Sequence, residues 1–166
     1  LGLDPNVKAV IVHINSPGGS VVGAESIFVA LSHLSKEKPS VSVLGETATS
    51  GGYLIAAATD QIISRSNTLT GSIGVILQYP NLSQLLKNIG IDMNTLRSSD
   101  LKASINLFEK PTSKAVQNQK KVIDETFLWF KDLVADRRNL SDINLDKVAQ
   151  GGIFTGRKAK ELGLVD

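Results

Sequence analysis

A serine followed by two glycines, Ser50-Gly51-Gly52, is the stretch of this sequence best suited to covalent chemistry. The apolar run 41–44 before it predicts a strand, and the small apolar residues 54–58 after it predict a buried helix. A serine in such a strand-to-helix turn is held at the edge of a sheet, beside the amides of a helix N-terminus. We therefore interpret Ser50 as a catalytic nucleophile. The alternative is that its hydroxyl only caps the helix that follows.

A second glycine-rich turn, Asn15-Ser16-Pro17-Gly18-Gly19, ends the apolar strand predicted over 7–14. In a parallel sheet, the turns after consecutive strands lie at the same edge. The Ser50 hydroxyl and the amides of Gly51 and Gly19 can then surround one carbonyl group, with the amides forming an oxyanion hole. Taken alone, the turn could equally be an ordinary strand-to-helix connection. A phosphate loop is a poorer interpretation, because its Gly-Lys-Ser/Thr ending is absent.

The base that would activate Ser50 is less obvious. Histidine is the usual partner, but neither His13 nor His33 follows Ser50 into a second loop, so we expect both to be structural or exposed. A lysine can replace histidine when burial lowers its pKa toward neutrality. Such a lysine needs an apolar setting, a neutral hydrogen-bond partner and no adjacent carboxylate. A hydroxyl in the segment 70–75, Thr-Gly-Ser-Ile-Gly-Val, could orient its amine.

Composition narrows the classes of function. The chain has 166 residues, a net charge of +2 with scattered basic residues, and no cysteine. Nucleic-acid binding therefore has little support, and a thiol nucleophile or a thiolate metal site is excluded. No apolar run approaches the length of a membrane span, and the sequence shows no signal-peptide pattern. Because the chain begins at Leu1 rather than Met, we expect a fragment that lacks an N-terminal anchor and the first strands.

The pattern of strands and helices predicts an α/β domain with a largely parallel sheet, a single domain over residues 1–166. Strand 7–14 is nearly continuously apolar, which is typical of a strand buried on both faces. Further strands are expected at 41–44, 61–64, 73–77, 91–96 and 153–154, with loops at 68–72 and 97–111. Helices are expected at 20–35, 54–58, 82–89, 113–138, 145–149 and from the cap at Thr155 to Gly163.

Four motifs together resemble one known family. They are 15–19 (Asn-Ser-Pro-Gly-Gly), 49–53 (Thr-Ser-Gly-Gly-Tyr), 70–75 (Thr-Gly-Ser-Ile-Gly-Val) and the C-terminal segment 154–166. Their order and spacing resemble the bacterial signal peptide peptidase family, the SppA-type serine proteases, from about residue 7 to the end. The resemblance implies a Clp protease/crotonase-like fold of ββα units, in the short type that has a single repeat.

The resemblance also implies a catalytic serine–lysine dyad. Ser50 takes the nucleophile position, Lys102 the general base and Ser72 the hydroxyl that orients the lysine. Gly19 and Gly51 supply the oxyanion hole, with Gly18 as an alternative to Gly19.

Three departures from the family pattern bear on these assignments. The lysine segment 98–102 reads Ser-Ser-Asp-Leu-Lys where Ser-Gly-Lys-Tyr-Lys is usual, and segment 105–110 is also atypical, which leaves Lys110 as an alternative to Lys102. Thr49 stands where alanine is common, a change that should be tolerated.

The substrates implied by the resemblance are apolar signal peptides that remain in the membrane. The implied partners are further copies of the chain in a ring and the membrane itself, reached through the missing N-terminal segment. The implied location is the extracytoplasmic side of the bacterial cytoplasmic membrane, and no cofactor, metal or nucleic acid is expected. Two alternatives are a crotonase-like acyl-CoA enzyme and a non-catalytic relative. A Clp-type protease is disfavoured because no histidine follows Ser50.

Overall fold

Strands and helices alternate through the part of the chain that the computed structural model describes, which is residue 2 and residues 4–166. The strands are β1 (Val10–Ser16), β2 (Ser40–Thr49), β3 (Gln61–Ile63), β4 (Leu69–Gly71) and β5 (Ile153–Thr155). The helices are α1 (Val21–Glu37), α2 (Gly51–Ala56), α3 (Ser83–Asn88), α4 (Ser113–Arg138), α5 (Asp142–Val148) and α6 (Gly156–Glu161). The chain divides into two compact units. The first contains the residues up to Gly74 and Leu128–Asp166, and the second is Val75–Phe127.

All five strands belong to the first unit and form one sheet around β2. β1 runs parallel to β2 on one side, and β3 and then β4 run parallel to it as well. β5 closes the order as the antiparallel neighbour of β4. The predicted α/β class with a largely parallel sheet is therefore confirmed.

β2 is longer than the predicted strand 41–44 because its second half also finds partners. The register between β1 and β2 shifts after the pair Ile14 and Leu44, so that Ser16 pairs with Ala48. The side chain of Asn15 fills this irregularity, and its Oδ1 accepts a hydrogen bond of 3.1 Å from the Thr47 amide. The extension carries β2 directly to residue 50.

The two faces of the sheet differ in burial. Ile14, Leu44 and Ile62 point to the buried side, whereas Ile11 is 74% exposed and Ile63 is 48% exposed. β1 was expected to be buried on both faces, and this prediction is wrong. The strand lies at the edge of the sheet, and its outward side chains are not covered by the described part of the chain.

Most of the predicted helices are confirmed, and the longest matches the predicted range 113–138. The segment 68–72 was expected to be a loop but contains β4, because Leu69–Gly71 pairs with β2 on one side and β5 on the other. Strands expected at 73–77 and 91–96 are absent from the described residues, since neither segment has a strand partner. An apolar pattern does not by itself provide the neighbouring strand that ladder hydrogen bonds require.

The second unit contains α3, the loop 89–112 and the first half of α4. The Asn81 carboxamide accepts a 3.0 Å hydrogen bond from the Ser83 amide at the start of α3, and Gly90 ends the helix with φ +79°. The loop is held by an ion pair of 2.7 Å between Arg97 and Glu109. Within the described residues, no helix combines the length and the apolar character needed to cross a bilayer.

The end of the chain is fastened to the first unit by Asp166. Its amide donates to the Ile62 carbonyl at 2.8 Å, and its Oδ2 accepts from the Ile62 amide at 2.7 Å. Arg138 donates to both carboxylate oxygens, at 2.8 and 3.1 Å. Partial burial by itself would raise the pKa of Asp166, but the hydrogen bonds from Arg138 and Ile62 outweigh it and hold the pKa below its usual value.

This arrangement predicts a component of stability that is lost in acid. Because the folded-state pKa of Asp166 is lowered, its contribution is complete above the ordinary value of about 3.9 and disappears as pH falls through the lowered value. We expect Asp166→Asn to lower the free energy of unfolding at pH 7, with a difference from the parent that shrinks below about pH 4. Urea unfolding between pH 3 and 7 measures this. Asp132→Asn, at an exposed position of α4, is the control, and an identical pH dependence in both variants would contradict the prediction.

Candidate active site

The backbone at Ser50 is held in a conformation that non-glycine residues rarely adopt. Its φ is +52° and its ψ is −121°. The Ser50 amide donates to the Gly71 carbonyl at 2.8 Å, and its carbonyl accepts from the Leu54 amide at 2.9 Å at the start of α2. The end of β2, the end of β4 and the first turn of α2 thus fix the residue from three directions. Strain of this kind is characteristic of a serine presented on a sharp strand-to-helix turn.

The Ser50 hydroxyl is not used by the helix that follows. Ser50 occupies the N-cap position of α2, yet its side chain makes no capping hydrogen bond. By contrast, Ser20 and Thr155 cap α1 and α6 through their side-chain oxygens. The interpretation of Ser50 as a simple helix cap is therefore wrong.

The turn 15–19 packs directly against Ser50. Gly18 has φ +116°, and a Cβ built on it would lie 2.9 Å from the Ser50 Cβ and 3.2 Å from the Gly51 nitrogen. Only glycine fits this contact without strain. The sequence motif 15–19 and the motif at Ser50 therefore meet at one edge of the sheet, as the parallel topology requires.

Two backbone amides lie beside this contact. A Cβ built on Gly51 would lie 3.4 Å from the Gly19 nitrogen, which places the two residues side by side. The Gly18 amide donates to the Ser16 hydroxyl at 3.2 Å. No acceptor within the described residues is recorded for the Gly19 amide, which favours Gly19 over Gly18 as a donor to a ligand.

Ser72 lies one residue beyond the carbonyl that fixes Ser50. It has φ +53° and its amide donates to the Gly152 carbonyl at 2.7 Å. Its side chain is half-buried. Gly71, with φ +84°, is packed so closely against Phe154 that an added Cβ would lie 2.8 Å from the ring. This packing holds the Ser72 segment at the same end of the sheet as Ser50.

A depression of about 250 Å³ borders the two glycine turns. Ala24 and Ile27 of α1 and Ile55 of α2 form its apolar part, and Gly19 and Gly51 are among its remaining lining residues. The depression can hold an apolar side chain whose neighbouring carbonyl group lies near the two amides.

Lys102 belongs to the second unit, on the loop 89–112, and its side chain is exposed. Its amide donates to the Ser99 carbonyl at 3.1 Å. The Asp100 carboxylate, two residues earlier, is paired with Lys114 at 3.5 Å. Lys110, the alternative base, is also exposed. The pairing of either lysine with Ser50 stays a prediction.

The two histidines lie within β1 (His13) and α1 (His33), outside the turns that surround Ser50. His13 and His33 are both exposed, as expected. His13 lines a groove of about 760 Å³ on the uncovered face of the sheet, together with residues such as Val43, Ile63 and Leu69.

Two polar side chains, for which the sequence predicted no such role, shape the site. The Thr49 hydroxyl donates to the Pro17 carbonyl at 2.9 Å, across the two turns. The Asn15 carboxamide sets the register that brings β2 to Ser50. A polar residue near the end of β1 and another at the end of β2 were the only signals of these roles in the sequence.

Comparison with known proteins identifies the family. The model of peptidase family S49 matches residues 32–166. The chain belongs to this family. The resemblance to the SppA-type proteases is thereby confirmed, and the sheet architecture agrees with the Clp protease/crotonase-like fold that it implies.

Individual relatives match over nearly the whole chain. A protein of Methanocaldococcus jannaschii, provisionally named a protease, is 34% identical over 98% of this chain and 52% of its own length. A protein of Enterococcus faecium, provisionally named signal peptide peptidase SppA, is 36% identical over 98% of this chain and 48% of its own. The chloroplastic serine protease SPPA of Arabidopsis thaliana is 31% identical over 96% of this chain and 24% of its own. The chain thus spans about half, or less, of the length of these relatives.

Proposed function

We propose that this chain is the catalytic part of a serine endopeptidase, with Ser50 as nucleophile and Lys102 as general base. One observation carries the proposal: the Ser50 hydroxyl is held on a strained turn, makes no capping bond, and lies beside the neighbouring Gly51 and Gly19. Membership in a peptidase family gives this geometry its chemistry.

The reaction follows from the groups at the site. As Ser50 Oγ bonds to the peptide carbonyl carbon, its proton passes to the neutral amine of Lys102. The resulting oxyanion accepts hydrogen bonds from the Gly51 and Gly19 amides. The C–N bond then breaks, and the lysinium returns the proton to the leaving amine. Water, deprotonated by Lys102, hydrolyses the acyl ester and restores Ser50. Ser72 would orient the Lys102 amine through its hydroxyl.

The proposed substrates are apolar peptides, in particular signal peptides at a membrane. The apolar depression formed by Ala24, Ile27 and Ile55 supports this choice, and so does the name of the Enterococcus faecium relative. The proposed location is the extracytoplasmic side of the bacterial cytoplasmic membrane.

A homo-oligomer is part of the proposal because Lys102 is exposed. A neutral lysine base needs an apolar setting, which bound substrate or a second copy of the chain would provide. The second unit carries many exposed apolar side chains that such a contact would cover, among them Ile76, Leu85, Ile89, Met93 and Leu96.

The choice of base is tested by comparing two lysines of the same loop. We expect Lys102→Ala to reduce hydrolysis of an apolar signal peptide by at least about 10³-fold, because the variant lacks the proposed acceptor of the Ser50 proton. Lys110→Ala, at a lysine that is also exposed, should retain most of the activity. The measurement is release of peptide fragments by mass spectrometry, with melting temperature as the control for folding. Loss of activity in Lys110→Ala alone would reassign the base.

Mixing inactive variants shows where the dyad forms. If Ser50 and Lys102 meet across two protomers, an equimolar mixture of Ser50→Ala and Lys102→Ala regains part of the parent rate. If both residues act within one protomer, the mixture stays as inactive as its components. Each variant measured alone is the baseline.

A further inference from the structure

We propose that the Thr49 hydroxyl is a positioning group that holds the 15–19 turn, and with it the Gly19 amide, against Ser50. The inference rests on the proposed function, in which Gly19 donates to the oxyanion, but it concerns a residue that takes no part in the chemistry itself.

The hydrogen bond in question links the two turns of the site directly. Thr49 Oγ1 donates to the Pro17 carbonyl at 2.9 Å. Thr49 is only 6% exposed, so its hydroxyl is committed to this partner, whereas Pro17 is exposed. Among the described residues it is the one side-chain hydrogen bond between the segments 15–19 and 49–52. The turn has two further side-chain contacts: the Ser16–Gly18 hydrogen bonds, which are internal to it, and the bond from the Thr47 amide to Asn15, which reaches β2 before Thr49.

The packing around the turn shows in which direction the turn could move. On the inner side there is no free space, since a Cβ on Gly18 would approach the Ser50 Cβ to 2.9 Å. On the outer side a Cβ on Gly19 would meet nothing within 4 Å. Movement of the turn is therefore blocked inward by contact. Outward movement is restrained by the Asn15–Thr47 hydrogen bond at the start of the turn and by the Thr49 hydroxyl at Pro17, next to the two glycines.

An outward shift would separate the Gly19 amide from the atom that it should stabilise. Oxyanion donors act only within hydrogen-bond distance of the developing charge, and displacements of about 1 Å lower rates by orders of magnitude. Family resemblance predicted that threonine here, in place of the common alanine, is merely tolerated. In the structure the Thr49 hydroxyl donates to the Pro17 carbonyl, a hydrogen bond that alanine could not form.

The experiment compares side chains that differ in the hydroxyl alone. Thr49→Ser keeps the hydroxyl and Thr49→Ala removes it, while both lack the methyl group. Thr49→Val keeps the shape without the donor. Thr126→Val, which removes a hydroxyl bonded to the Val122 carbonyl on α4, is the control for the substitution itself. Two properties are measured in the full chain: the ¹⁵N order parameter of the Gly19 amide, and kcat and KM for an apolar peptide.

We expect the order parameter of Gly19 to stay at about 0.85 in Thr49→Ser and Thr126→Val, and to fall to about 0.6 in Thr49→Ala and Thr49→Val. In parallel, kcat should fall by roughly tenfold in the two variants without the hydroxyl, with KM unchanged and with recovery in Thr49→Ser.

An unchanged Gly19 order parameter in Thr49→Ala would overturn the inference, and so would a loss of order spread over the whole sheet, which is the signature of a purely structural role. If Thr49→Val does not fold, the alanine and serine variants decide the question. Inactivity of the parent protein would count against the proposed function only, since the order parameter reports on the turn without any substrate.

Discussion

Replacing Ser50 with alanine should abolish peptide hydrolysis, a loss of at least about 10³-fold, while the protein stays folded. The hydroxyl makes no capping bond, so its removal takes away no stabilising interaction of α2. Release of peptide fragments and thermal unfolding, measured on the same preparation, test the two halves of this prediction. Full activity of Ser50→Ala would eliminate Ser50 as the nucleophile.

Replacing Ser50 with glycine distinguishes the catalytic role of the hydroxyl from the backbone strain at this position. Ser50 has φ +52°, a value that glycine adopts freely and alanine does not. Ser50→Gly should therefore be as inactive as Ser50→Ala but more stable, by about 1–2 kcal/mol in the free energy of unfolding. Equal stability of the two variants would mean that the turn relaxes when the side chain is removed. The parent serine would then not be held under strain by its surroundings.

The largest structural effect is expected for Gly18→Ala. The substitution places a methyl group 2.9 Å from the Ser50 Cβ at a residue whose φ is +116°. We expect a loss of about 1–3 kcal/mol of stability from the strained backbone, and at least about 10²-fold in kcat because Ser50 or the turn must move. Urea unfolding and steady-state kinetics measure the two effects.

Gly19→Ala is the matched control, one residue further along the same turn. Its added Cβ would meet nothing within 4 Å, and its amide remains available as a donor. We expect its stability to stay within about 0.5 kcal/mol of the parent, as for most exposed substitutions. If both glycine variants behave alike, the contact between Gly18 and Ser50 is not what shapes the site.

The stability of the site and its reactivity are linked through these same contacts. Ser50 keeps a strained backbone because β4 and α2 bind it through the Gly71 carbonyl and the Leu54 amide. Gly18 packs against the far side of the same residue. Such strain persists only where the surrounding structure over-determines it. β4, α2 and the 15–19 turn thus support the Ser50 hydroxyl together.

Much of this protein could be predicted from its residues. Alternating apolar segments and glycine-rich turns indicated the α/β class, and the helix 113–138 was predicted to the residue. The order of the four motifs indicated the family, which the match over residues 32–166 confirms. These features are local or ordered along the chain, so composition and spacing carry them.

Strands were harder to predict, because a segment becomes a strand only where another strand pairs with it, whatever its apolar pattern. β4 is short and was expected to be a loop, and it becomes a strand because β2 and β5 flank it. The segments 73–77 and 91–96 have the apolar pattern of strands, but no neighbouring strand pairs with them, and they form no strand among the described residues. β1 has a buried pattern but lies at the edge of the sheet, with Ile11 exposed.

What the sequence by itself determined was the set of candidate groups: a serine, two glycine turns, a second hydroxyl and a lysine. Tertiary structure alone decided that the Ser50 hydroxyl makes no capping bond, that the Gly18 amide is engaged by Ser16, and that Thr49 ties the two turns together. The reason is physical. Residue types limit which hydrogen bonds are possible, whereas torsion angles and the register between distant strands determine which of them form.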